Sequence, residues 1–160
     1  MHTEPRAARL FLLASRSPRP GDRCRYPTES MTRKQPPSQM QDSEGWHAIR
    51  TFYLDLIEKH AFDIGPMLAV VSFYSSAAAE RPIYPSTSHA ALGLSTADTY
   101  ADRLTVPMVY INCLSTEQLF EIHYQRIQGD TQLTERSTDP TDAPTSTKIL
   151  DWLTNPQIVG

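Results

Sequence analysis

Hydrophobic runs long enough to cross a bilayer are missing from this chain. So are closely spaced cysteines, glycine-rich loops and a net positive charge. The longest apolar run near the N-terminus covers residues 10–14, against the roughly 20 residues a membrane span needs, so no transmembrane helix and no membrane partner is expected. The two cysteines, Cys24 and Cys113, lie far apart with no neighbouring Cys/His spacing. Zinc and any other metal are therefore not expected, and the pair reads as free thiols of a reducing, cytoplasmic setting. The six glycines form no phosphate-binding loop, no serine sits in a nucleophile elbow, and no helix carries paired zinc-ligand histidines. A formal net charge of −3 gives nucleic acid and anionic lipid surfaces nothing to reward, and neither is expected as a partner.

What remains is an acidic body behind a basic leader. Residues 1–40 hold eight Lys/Arg against three Asp/Glu, and Arg, Pro and Ser alternate there around the single apolar patch. Such composition suits a disordered leader over residues 1–41. An organelle-targeting peptide is one reading, against which Glu4, Asp22, Glu29 and the prolines count; a dispensable extension ahead of Met31 is the plainer one. With 160 residues there is room for a single core over 42–139. Beyond it, residues 140–160 read as a polar tail in which 148–153 make one helical turn before Asn155-Pro156.

Within the core, Trp46, Ile49, Phe52/Tyr53 and Leu56/Ile57 recur at helical spacing to about Lys59, after a cap at Asp42 or Ser43. Asp63 is expected to cap a short second helix carrying Met67 and Leu68. The β-branched and aromatic run 70–74 predicts a strand, 80–93 a loop over a pocket mouth, 95–104 a third short helix, and 108–114 another strand. Residues 119–139 then read as a β-hairpin turning at Gly129-Asp130. With a two-residue loop there, His123 faces Arg136 and Gln125 faces Thr134, so these four share one face. Phe120, Ile122, Tyr124 and Leu133 share the other, apolar face. Polar groups on one side of a curved sheet and helices on the other would line a pocket; a plain solvated face is the competing reading.

The segment Gly129-Asp130-Thr131-Gln132-Leu133-Thr134-Glu135-Arg136, preceded by Phe120-Glu121-Ile122-His123, resembles the hairpin of limonene epoxide hydrolases. The opening helix with Phe52-Tyr53, the break at 60–63 and Met67-Leu68 are similar to that family's start. Limonene epoxide hydrolases share the cone-shaped α+β fold of ketosteroid isomerase and the SnoaL-like proteins. The resemblance implies a curved antiparallel sheet packed with two to three helices, left incomplete here because the closing strands are missing after 139. It also implies no cofactor, and a small hydrophobic epoxide hydrated to a diol by concerted acid/base catalysis; the sheet edge exposed without closing strands is expected to be covered in a homodimer. In that chemistry an arginine bridges two aspartates, one protonating the epoxide oxygen and the other deprotonating the attacking water.

Carried over residue by residue, the catalytic set is Arg136, Asp139, Tyr74 and Asp151, with His123, Gln125, Thr134 and Ser76 as pocket residues. Three departures stand against full catalysis. Thr138 occupies the position two residues after the arginine where the family has its first aspartate, so Asp139 falls on the wrong strand face without a bulge. Ser76 replaces an asparagine. Asp151-Trp152 inverts the order of the family's second acid and its tryptophan. A catalytically inactive binding or dimerisation protein is thus the alternative.

Overall fold

Met67, Val70, Val71 and Tyr74 stand at i, i+3, i+4 and i+7, and that spacing outweighs the strand propensity of the residues between them. In a computed structural model, which describes residues 38–157 and their side chains from Gly45 onward, all four are buried on one stripe of a helix, Met67–Ala77 (α2). The expected strand 70–74 is therefore corrected to helix, and Pro66, with φ −58°, takes the N-cap place expected of Asp63. Ahead of it runs α1, Ser38–His60, which starts before the caps read at Asp42 or Ser43. It buries Trp46 and Tyr53 and ends at Ala61 in the left-handed region (φ 53°), where the Phe62 N–H closes onto the Leu56 carbonyl at 3.1 Å.

The segment 80–93, read as a loop, contains β1 (Tyr84–Ser88) and most of β2 (Ala91–Ser95), paired antiparallel across His89-Ala90. A single turn of helix, α3 (Tyr100–Arg103), is capped by Thr99 and leads to β3 (Met108–Leu114). After a 3-10 turn at Ser115–Glu117 come β4 (Leu119–Gln125) and β5 (Thr131–Ser137). The result is α+β, with one five-stranded antiparallel sheet in the order β1-β2-β3-β4-β5 that does not close. The polar segment after 139 forms a further helix, α4 (Ala143–Thr154), capped by Asp142, whose carboxylate accepts from the Thr145 N–H at 2.7 Å. Ile149, Trp152 and Leu153 of α4 are core residues, so the expected single turn is a full three-turn helix that helps bury the sheet.

Sheet parity sets the two faces. Leu92, Ile111 and Ile122 align across β2, β3 and β4, as do Leu94, Val109 and Tyr124, and all six are fully buried in the core they share with α1, α2 and α4. The alternate residues form an opposite row, Ser86, Gly93, Tyr110, His123 and Thr134, one from each strand. No described helix is long and apolar enough to cross a membrane. The leader expected over residues 1–41 falls largely outside the described residues, as does Cys24, while Cys113 is a free, half-buried thiol whose pKa burial pushes up.

Candidate functional site

The hairpin keeps its faces but not its register. Glu121 lies opposite Arg136 and His123 opposite Thr134, two residues away from the expected pairing, because the connection is longer than Gly129-Asp130 alone and a bulge follows Tyr124. The Asp130 N–H bonds the Ile127 carbonyl at 3.0 Å, so Gly129 occupies the third position of the turn, and its φ of 83° is what a type II turn requires there. The Gln125 side chain braces this loop, accepting from the Gly129 N–H at 3.0 Å and donating to Thr131 at 3.2 Å.

Moving the partners by two preserves the face, so His123, Gln125, Thr134 and Arg136 do share one side of the sheet. A chain of polar contacts runs along it. Arg136 reaches Glu117 at 2.8 Å and Glu121 at 3.6 Å, Glu121 contacts His123 Nε2 at 3.1 Å, and His123 Nδ1 meets the Thr134 hydroxyl at 3.1 Å. Which ring nitrogen donates follows from the tautomer: in the one with Nε2–H directed at Glu121, Nδ1 accepts from the Thr134 hydroxyl. The arginine thus bridges two carboxylates, but they are glutamates rather than Asp139 and Asp151. Arg136 and Glu117 are both about half exposed, where water screens their attraction.

The other carried-over residues lie elsewhere. Tyr74 is fully buried on α2 and donates to the Pro140 carbonyl at 2.9 Å; burial, reinforced by the negative charges of Asp139 and Asp142, drives its pKa well up, so it serves as a hydrogen-bond donor. Ser76 is two residues along the same helix, hence on a different side of it, and its hydroxyl donates to the Ser72 carbonyl at 3.0 Å. Asp139 is exposed and caps its own turn: one carboxylate oxygen accepts from the Thr141 N–H at 2.8 Å and hydroxyl at 2.6 Å, which holds its pKa below the ordinary value. Asp151 lies in the last turn of α4, half-buried. None of these four contacts Arg136.

Beside the polar chain, the open face carries a groove of about 490 Å³ between β3–β4 and the two hairpin turns. His123 and Gln125 line it, whereas Thr134 and Ser76 do not. Tyr110 and Asn112 from β3, Ser88 and His89 from the first turn, and Gln128 and Thr131 from the second complete most of the wall. Among the described residues, Asn112, Gln128, Ser88 and His89 have side chains without a protein partner. Tyr110, Asn112 and Glu121 were not singled out from the sequence, although strand alternation on 108–114 and 119–125 places all three on the face of His123. No described cluster of three or more His, Cys, Asp or Glu is arranged to hold a metal ion. Comparison with protein-family models, curated proteins and solved structures gives no match.

Proposed function

We propose that the protein binds a small molecule in the open-face groove and does not turn it over. The observation that carries this reading is the set of unpaired amide, hydroxyl and imidazole groups converging on a 490 Å³ hollow. Groups of that kind in a concave site fix the orientation of a ligand through directional hydrogen bonds, and leaving them unpaired in the free protein means that binding breaks no internal contact. Because those groups are polar, the ligand is amphipathic rather than purely hydrophobic.

Epoxide hydration is the second reading, favoured by one observation: Arg136 does bridge two carboxylates, Glu117 and Glu121. Against it stands the half-exposed state of Arg136 and Glu117, where water screens the guanidinium that would have to hold both carboxylates in place. The deciding experiment incubates the full chain with terpene and fatty epoxides and follows diol formation beside Arg136→Ala, while amide NMR shifts are recorded for a panel of polar heterocycles. Shifts at Asn112, His123 and Gln128 with no diol support the binding reading. Diol formation lost in Arg136→Ala overturns it in favour of hydration.

A further inference from the structure

The groove does not end at Tyr110. A second hollow of about 170 Å³ shares Ser88, Tyr110 and Gln128 with it and continues toward α3, where Tyr100 and Arg103 form its far wall. The two lobes differ in chemistry. No Asp, Glu, Lys or Arg lines the larger one, which offers carboxamides, imidazoles and a phenol. Arg103 is the one fully charged residue lining the smaller lobe, which otherwise offers the hydroxyls of Ser86 and Ser88 from the open face of β1.

Arg103 is also fixed in place. Its Nε donates to the Ala97 carbonyl at 3.0 Å and one terminal nitrogen to the Asp98 carbonyl at 2.9 Å, which leaves the other terminal nitrogen without a protein partner. A guanidinium anchored by backbone carbonyls keeps its full charge and loses little further entropy on meeting an anion. Its charge is felt at Tyr110, where it opposes the upward push of burial on the phenol. Tyr100 in the same lobe is the most exposed large apolar side chain described, 72% exposed, and its ring is free to cover a ligand.

We propose that the two lobes form one site for a planar, uncharged heterocycle carrying a single anionic group, the chemistry of a nucleoside 5′-monophosphate. The heterocycle occupies the larger lobe, its edge hydrogen-bonded by Asn112 and Gln128 and its face against Tyr110. Carboxamides pair bidentately with the donor and acceptor edges of nucleobases, and aromatic rings accept any base face. The anion lies in the smaller lobe on Arg103 and the serine hydroxyls, a charge-assisted contact of the stronger kind. A cationic ligand would meet no counter-charge in either lobe.

This inference rests on the groove being a ligand site, and its test separates the two claims. Isothermal titration of the full chain with the four common 5′-ribonucleoside monophosphates, their nucleosides and inorganic phosphate is expected to show at least one nucleotide binding about tenfold to a hundredfold tighter than its nucleoside. That advantage is expected to vanish in Arg103→Gln. Since Arg103 also holds its own loop, Ser88→Asp is the second variant: it sets a negative charge on an exposed turn between the lobes and is expected to cut nucleotide binding while sparing the nucleoside. Asn112→Ala is expected to weaken both. A nucleoside that binds as tightly as its nucleotide overturns the anion lobe and leaves the groove a ligand site. Inorganic phosphate binding as tightly as the nucleotide overturns the heterocycle lobe. Binding only of panel compounds unrelated to nucleotides overturns the inference alone, and no shift in groove residues with any compound overturns both claims.

Discussion

Trp152→Ala tests whether α4 is part of the fold or an accessory tail. The indole is 2% exposed, meets the Tyr124 ring edge-on with centroids 5.6 Å apart, and donates from Nε1 to the Gln125 carbonyl at 3.2 Å. Emptying a buried aromatic site costs about 3–5 kcal/mol, and the lost hydrogen bond at the end of β4 accounts for about 1 kcal/mol of that. Set against a total stability of about 5–15 kcal/mol for a domain, a loss near 4 kcal/mol lowers Tm by roughly 15 °C, or leaves the chain unfolded at room temperature.

Urea titration followed by far-ultraviolet circular dichroism reads this directly, and Trp46 supplies an independent fluorescence signal. Its indole is buried at the far end of the core and donates to the Ile83 carbonyl at 3.3 Å. Both probes are expected to move together, because α1, the sheet and α4 share one core. Trp152→Phe keeps the contact with Tyr124 but not the N–H, and is expected to lose only about 1–2 kcal/mol. A Trp152→Ala protein within about 0.5 kcal/mol of the parent, a change typical of a surface site, would refute the packing of α4 against the sheet.

Two further substitutions exchange glycine and alanine in opposite senses. Gly93→Ala places a Cβ 2.4 Å from Ser86 Oγ and 3.0 Å from a Tyr110 ring carbon, so a loss of about 1–3 kcal/mol is expected, with weaker ligand binding as Tyr110 shifts; adding Ser86→Ala is expected to restore part of the stability in the same thermal melts. Ala61→Gly relieves a left-handed residue at the end of α1 and is expected to stabilise by about 0.5–1 kcal/mol in urea titrations. For Asp139 the folded pKa lies below the ordinary 3.8 because Thr141 bonds the ionised form, so its stabilising effect is present above that value and is lost as pH falls through the folded pKa. Asp139→Asn is therefore expected to be less stable than the parent at neutral pH and to converge with it in acid, which Tm measured from pH 7 down to about pH 2.5 will check.

The helices at 67–77 and 143–154 are obscured in the sequence for one reason: local propensity there points away from the periodicity. The run Val70-Val71-Ser72-Phe73-Tyr74 favours a strand residue by residue, yet its buried members continue the helical spacing begun at Met67, and packing of α2 on α1 follows that spacing. Ile149, Trp152 and Leu153 carried the same i, i+3, i+4 signal behind Asp142 and Pro144, a start signal for a helix obscured by the polar residues around it. The first hairpin was hidden for a different reason. Ser, Thr and Pro dominate Tyr84–Ser88, and Pro85 is tolerated because β1 is an edge strand, a position that no local signal reveals.

The second hairpin explains why the groove was partly legible while its chemistry was not. Side chains alternate with a period of two, so pairing with sums near 259 or 257 gives the same faces, and His123 and Gln125 reach the groove under either register. Chemistry depends on partners rather than faces. The same two-residue difference exchanges Arg136 for Thr134 opposite His123 and sets Glu121 against Arg136, which turns an isolated His–Arg pair into a chain of five polar groups from Thr134 to Glu117. That register is set by the Gln125 side chain bracing the turn and by the bulge beside it, contacts between residues four to six apart that strand alternation does not encode. Gln125→Ala is accordingly expected to loosen the turn, with faster amide exchange at Gly129 and Asp130 and weaker ligand binding in the groove, while the buried face of β4 keeps its protection. Unchanged exchange at the turn would mean that the register is held by the strands alone.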